Sequence, residues 1–386
     1  MGNARKFEVF MAGIYLHIPF CKQACHYCDF HFSTNTEIRQ DLVRAMATEI
    51  SLQKSYLQGE TLQTIYFGGG TPSILKAEEL QFLLETIFKN HAVSSGAELT
   101  LEANPDDLSI EKLSALRHLK FNRLSIGVQS FDDHILKYLN RSHASLSAIR
   151  SVENAHKVGF ENISIDLIYA IPGLSCEAWE RNIRQALQLR PNHISAYTLT
   201  IEEKTAFGKW AAKGKLIPVD ETSAAEQMEI LVSTLKEAGY KQYEISNFSL
   251  PGFESRHNTS YWSGEKYLGI GPSAHSYNQA SRQHNISNNH LYVRELAEGK
   301  IPAEKEVLKK GDRINEYILT TLRTDSGCNL ELLKNNFGYD VRQLYAGYLH
   351  ELQRNNLVWL DDDHLRLTEA GKLLADRISS DLFLVG

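Results

Sequence analysis

The chain lacks what several large function classes require. No run approaches the roughly 18 uncharged apolar residues of a helical membrane span. Basic residues are outnumbered: 41 Lys and Arg against 47 Asp and Glu leave a net charge of −6, so the clustered positive field of non-specific nucleic-acid binding is missing. No nucleic acid is expected as a partner. Cysteine is scarce too, five in 386 residues, and three of the five fall between positions 21 and 28 while Cys176 and Cys328 stand alone. A disulfide scaffold needs an oxidising compartment, and the first residues offer neither an apolar signal core nor a small-residue cleavage site. A cytoplasmic location is the expectation. Met1-Gly2 opens like a myristoylation signal, but Lys6 stands where Ser or Thr is required. Met11 directly precedes the first apolar run, so residues 1–10 are read as an extension, with the native start at Met1 or Met11 left open.

What is present is an alternation. Short β-rich runs at 14–20, 64–70, 98–104, 123–130, 162–170 and 193–200 end in polar or glycine-rich sequence, and amphipathic stretches at 37–57, 77–90, 109–119, 146–158 and 176–189 separate them. Strand and helix in this order predict an α/β fold with a parallel sheet and right-handed crossovers, here a partial (β/α)6 barrel over 11–205. A doubly wound open sheet is the competing architecture. The alternation stops near Ala206; 206–311 reads as a connecting region, and 312–386 as a mainly helical, winged-helix-like domain ending in a strand pair across Asp361-Asp362-Asp363. From Asp340 to Gly386 there are eight acids and five Lys or Arg, so packing or partner docking suits this winged element better than DNA.

CKQACHYC, residues 21–28, follows the first strand and presents Cys21, Cys25 and Cys28 from one loop. Three close soft ligands suit an iron–sulfur cluster or zinc, and no second Cys or Cys/His pair has the spacing to complete a structural zinc site. After the second strand comes GGGTP, residues 68–72, whose missing side chains let a ligand approach the backbone closely. Later strand ends supply Glu102, Gln129, Arg141 and Asp166 in order, and a carboxylate among them can hold an ammonium group.

With these motifs the chain resembles the radical-SAM superfamily and, within it, the oxygen-independent coproporphyrinogen III oxidases and their relatives, over nearly its whole length. The resemblance implies a 4Fe-4S cluster on the three cysteines with one iron open to S-adenosylmethionine (SAM), whose reductive cleavage yields methionine and a 5′-deoxyadenosyl radical. It implies that Tyr15, Gly69 and Glu102 contact the cluster-bound SAM. Tyr27, Gly70, Thr71, Gln129, Arg141 and Asp166 match positions lining a second SAM or substrate space. Ala170 stands where the pattern usually has Gly, and Phe30 stands where the oxidases carry a fourth cysteine.

The segment HNTSYW at 257–262, with YEISNF at 243–248 and GIGPSAHS at 269–276, resembles the heme-chaperone branch of these relatives. That resemblance implies heme as ligand and apo-hemoproteins as acceptors. His257 is the expected axial ligand, because neutral imidazole commonly binds heme iron, and Tyr261 and Trp262 would pack against the macrocycle. His275 is the next candidate; His17, His26, His31, His143 and His193 read as structural or supporting. A coproporphyrinogen-decarboxylating enzyme is the alternative, and an RNA-modifying one a more distant third, disfavoured by the charge. Peripheral membrane association and a homodimer stay open.

Overall fold

The structure, a computed structural model, describes residues 12–385. The reading of residues 1–10 as an extension lies outside them. Six parallel strands come first: β1 (Ala12–Ile18), β2 (Leu62–Gly69), β3 (Val93–Ala103), β4 (Arg123–Gln129), β5 (Asn162–Tyr169) and β6 (His193–Thr198). They lie side by side in chain order. That order decides between the two architectures. A doubly wound sheet reverses direction at a switch point, whereas strands added always on the same side by right-handed crossovers place every helix on one face and curl the sheet into a partial barrel. Strand β1 is buried at six of its seven positions, as a parallel strand covered on both faces must be, and its Ile14, Leu16 and Ile18 are fully enclosed.

The intervening helices follow the amphipathic stretches. Helix Ile110–His118 begins where Ser109 caps it, the serine hydroxyl accepting from the Lys112 amide, and helix Cys176–Gln188 is capped likewise by Ser175. The first helix, Arg39–Leu52, is shorter than its apolar pattern suggested: Leu57 is still buried but belongs to the turn beyond the helix end.

Residues 206–311 carry more sheet than a connection would. Strands β7 (Lys241–Glu244) and β8 (Asn247–Ser249) extend the sheet beyond β6, and β9 (Tyr267–Ile270), β10 (His275–Tyr277), β11 (Ser281–Asn285) and β12 (Ala303–Val307) extend it beyond β1. Strand β9 pairs parallel to β1 although more than 240 residues separate them in sequence, so only closure of the preceding units brings the two together. The C-terminal segment has its own core. Ile314, Ile318 and Leu322 form one stripe of helix Lys310–Leu322 and pack with Leu330, Leu333 and Leu365. Here β13 (Cys328–Asn329), β14 (Val358–Leu360) and β15 (His364–Leu367) form a three-stranded sheet in the order 13-15-14. The Asp361 carboxylate closes the β14–β15 turn by accepting from the amides of Asp363 and His364. Among the described residues no helix is long and apolar enough to cross a membrane.

Candidate functional site

The loop that follows β1 carries the three clustered cysteines and is pinned at both ends. At its base the Cys21 amide donates to the Ser33 carbonyl (3.0 Å) and the Ser33 amide to the Pro19 carbonyl (2.9 Å). At its tip the His26 amide donates to the Leu139 carbonyl, the His26 Nδ1 to the Tyr138 carbonyl (2.9 Å), and the Asn140 amide group to the Ala24 carbonyl (2.7 Å). So anchored, Cys21, Cys25 and Cys28 line one cavity of about 640 Å³ at the C-terminal ends of the parallel strands. Gly69, Gly70 and Thr71 from the end of β2, Glu102 from β3, Gln129 from β4 and Asp166 from β5 line the same cavity, together with Tyr27 and Arg141. Parallel strands expose their carboxyl ends on one side of the sheet, so residues spread over more than 140 positions converge there.

Local geometry explains several of these residue types. Gly69 has φ +105°, and a Cβ there would meet the His17 ring at 2.7 Å. A Cβ on Gly70 would meet the Ile18 and Phe20 carbonyl oxygens at 2.8 Å and the Cys21 sulfur at 3.0 Å, so the glycine lets the second strand end lie against the cysteine loop. The Thr71 hydroxyl donates to the Cys21 sulfur (3.5 Å), and one guanidinium nitrogen of Arg141 donates to the Cys25 sulfur (3.4 Å) and the Tyr27 hydroxyl (3.5 Å). Its other terminal nitrogen is held by the Asn104 side chain (2.8 Å) and the Gly127 carbonyl (2.7 Å), while its buried Nε has no partner among the described residues. Gln129 adopts φ +66° at the point where the β4–β5 register shifts, a strained backbone of the kind found where a side chain must be aimed into a site.

Two carboxyl groups inside this cavity are perturbed. Burial pushes Glu102 up to about 7 and the nearby Asp166 adds to the rise, against hydrogen bonds from the Tyr66 hydroxyl (2.8 Å) and the Gly69 amide (3.1 Å). Asp166 is pushed up to about 6, again mainly by burial, although the Ser125 hydroxyl donates to it. Two desolvated carboxyls with too few counter-charges are relieved by a cationic ligand. Burial also raises the Cys28 thiol to about 11, so metal binding there must expel a proton. Among the described residues no three His, Cys, Asp or Glu converge on a point that one metal ion could occupy. Three soft thiols lining one cavity, with no fourth Cys or His among the described residues of its wall to complete a structural zinc site, are a donor set that fits an iron–sulfur cluster.

Tyr15 stands beside Glu102, a Cβ on Gly68 lying 2.8 Å from its ring and 2.9 Å from that carboxylate, and it also faces elsewhere. It lines a second cavity, of about 760 Å³, on the other side of the cysteine loop. Asp29 and Phe30 line both cavities and so form the partition, with Phe30 73% exposed. Tyr261 and Trp262 line the second cavity as well. His257 does not, contrary to its expected role as a free axial ligand. It is buried, and both ring nitrogens are occupied: Nδ1 with the Thr64 hydroxyl (2.7 Å) and Nε2 with the Tyr261 hydroxyl (2.8 Å). Its ring stacks on Tyr66 at 4.8 Å, and burial lowers its pKa to about 3, so it stays neutral. A Cβ on Gly13 would press on this ring at 3.3 Å and on the Thr64 hydroxyl at 2.6 Å, so the seat is built for the imidazole. Helix Arg256–Trp262, which carries the segment, buries His257, and Tyr261, one turn further along the same face, and Trp262 reach the cavity wall.

Other histidines take supporting places. The His17 Nε2 donates to the His31 carbonyl (2.8 Å), leaving Nδ1 to accept from the Tyr15 hydroxyl (3.2 Å). His143 donates to the Val128 carbonyl, and His193 lies between Ser164 and Tyr243. Sequence reasoning passed over Tyr66, which holds Glu102, and Asn104, which holds Arg141. Asn104 directly follows the β3 end in the same TLEANP motif as Glu102 and was open to detection; Tyr66, inside an apolar strand, gave no signal.

Comparison with known proteins agrees with this geometry. The description Radical SAM superfamily matches residues 15–186, and HemN C-terminal domain matches residues 308–374. The chain is 37% identical over 374 residues to the heme chaperone HemW of Lactococcus lactis, spanning 96% of this chain and 97% of that one. It is 36% identical over 371 residues to the heme chaperone HemW of Bacillus subtilis, spanning 95% and 98%. Among solved structures, the coproporphyrinogen III oxidase HemN of Escherichia coli superposes with a TM-score of 0.83 at 21% identity, covering 98% of this chain and 91% of that one, which shows a shared fold.

Proposed function

Because the chain belongs to the HemW family of radical-SAM heme chaperones, we propose that it binds heme in the cavity walled by Tyr261 and Trp262 and passes it to an apo-hemoprotein. The observation that carries this reading is the separation of two cavities. One is lined by three thiols and two perturbed carboxyls; the other, across Phe30, carries eight Phe, Tyr and Trp side chains in its wall and has a volume within the roughly 300–1,000 Å³ of cofactor sites. Aromatic faces suit a flat macrocycle. Phe30 occupies the position of the oxidases' fourth cysteine, so that thiol is missing from the partition.

In the thiol cavity Cys21, Cys25 and Cys28 would hold the 4Fe-4S cluster and Glu102 the SAM ammonium. Gly69 and Gly70 let SAM lie against the backbone, and Arg141 steadies the loop through Cys25 and Tyr27. When bound, the cluster supplies an electron to SAM. Asp166, Gln129 and Thr71 complete the polar wall, and Tyr15 acts from the other side of the loop through His17.

The test is anaerobic incubation of the reconstituted chain with hemin and, separately, with coproporphyrinogen III. Stoichiometric hemin uptake followed by transfer to apomyoglobin, with no vinyl-group formation, is expected. Turnover of coproporphyrinogen III to protoporphyrinogen IX would refute the chaperone reading.

A further inference from the structure

Three histidines line the aromatic cavity, and two of them make side-chain hydrogen bonds, His17 through both ring nitrogens and His31 through one. Both nitrogens of His17 are used, by the His31 carbonyl and the Tyr15 hydroxyl, and the Nε2 of His31 is bound to the Asn289 side chain at 2.8 Å. His275 differs. It lies on β10 with its side chain exposed, and among the described residues its ring nitrogens make no hydrogen bond. Its ring is steadied instead by stacking on His284 across the β10–β11 ladder, 5.8 Å between centroids and 25° between planes.

Strand geometry puts His275 beside the aromatic wall. Side chains alternate along a strand, so His275 and Tyr277 share a face while the intervening Ser276 is buried. Tyr277 leads to Tyr267 at 6.2 Å, and Tyr267 to Tyr261 at 4.6 Å, giving a run of rings from β10 back to the HNTSYW helix. Cations reach the same cavity from β11 and from helix Lys310–Leu322. Arg282 is ion-paired with Glu316, whereas Arg313, lying over the Phe337 ring at 5.5 Å, has no ion pair among the described residues. Asp29 is the remaining acid in the lining.

Resting on the heme-chaperone reading, we propose that His275, and not His257, is the imidazole that ligates the heme iron, with Arg313 facing a heme carboxylate. Imidazole binds iron through one nitrogen lone pair; His17 has none free, His31 has only Nδ1 and is held through Nε2 by Asn289, whereas His275 is exposed beside the aromatic wall with both nitrogens free of hydrogen bonds among the described residues. His257 is then a positioning residue: its Nε2 fixes the Tyr261 hydroxyl, and through it the ring that faces the macrocycle. The importance of HNTSYW and the burial of its histidine are thereby compatible.

The test uses the full chain with its cluster reconstituted anaerobically, titrated with hemin and followed by absorption and electron paramagnetic resonance. Wild type should show an imidazole-ligated ferric spectrum. His275→Ala should lose that signature, bind hemin roughly tenfold more weakly or worse, and regain the signature when free imidazole is added, with cluster content and SAM affinity unchanged. His275→Met, which keeps the bulk of the side chain, should change the ligand signature. His257→Gln should keep it, and Arg313→Gln should weaken uptake without altering it. An unaltered spectrum in both His275 variants, or loss of the signature in His257→Gln with the cluster intact, would overturn the assignment. Failure of wild type to take up hemin at all would overturn the chaperone reading beneath it.

Discussion

Glu102 should weaken the empty protein and strengthen the loaded one. Its carboxyl is mostly buried and pushed up to about 7 from the ordinary 4.5, with burial as the main cause. An acid whose folded pKa lies above its unfolded one destabilises the fold at high pH, where the charge must be kept in a place that disfavours it. The penalty is fully present above the folded value of about 7 and disappears below the unfolded value. At about 1.4 kcal/mol per unit, a shift of this size costs about 3 kcal/mol at pH 8 and under about 1 kcal/mol at pH 5. Glu102→Gln removes the charge but keeps the shape. It can still accept from the Tyr66 hydroxyl, yet its amide group cannot accept from the Gly69 amide, a loss of about 1 kcal/mol. The variant should therefore be more stable than wild type by about 2 kcal/mol at pH 8 and no more stable at pH 5. Urea unfolding of the cluster-free protein at the two pH values measures this. Calorimetry with SAM on the cluster-loaded protein should show the opposite sign: loss of a charge-assisted hydrogen bond worth about 1.5–3 kcal/mol weakens binding roughly ten- to a hundredfold. Wild-type SAM affinity should fall as pH drops below about 7, because the ammonium needs the ionised carboxyl. A stability gain equal at pH 5 and pH 8, or an unchanged SAM dissociation constant, would refute the reasoning.

Three further outcomes are expected. Cys25→Ala should lose the cluster, and iron and sulfide analysis after anaerobic reconstitution would contradict the ligand assignment if it still found a full complement of both. Gly70→Ala places a Cβ 2.8 Å from two carbonyl oxygens, so the cysteine loop must shift; reconstituted cluster content should fall, whereas wild-type content would show that the loop yields freely. Tyr261→Phe strips the buried His257 Nε2 of its partner and should cost about 1–3 kcal/mol in urea unfolding, more than the same change at Tyr277, whose hydroxyl makes no hydrogen bond among the described residues.

The sequence by itself determined the elements whose signals are local. Six apolar runs separated by amphipathic helices specify parallel strands, because each needs burial on both faces and a crossover between neighbours, and β1 to β6 follow those runs in order. The spacing of Cys21, Cys25 and Cys28 likewise specifies one loop, and strand-end polar residues must converge once the strands are parallel, as Glu102, Gln129 and Asp166 do. Tertiary structure decided everything that depends on chain closure. Strands β7 to β12 are short, and they pair with edges that exist only after the first six have formed, so nothing local announces them. It also decided the fate of two histidines. HNTSYW names its histidine in sequence, but here His257 is buried against Thr64 of β2, a strand far away in sequence, and it is Tyr261, one turn on along the same helix face, and Trp262 that reach the cavity. His275 has no comparable motif, and it reaches that space because β10 is added to the far edge of β9, where one face remains uncovered.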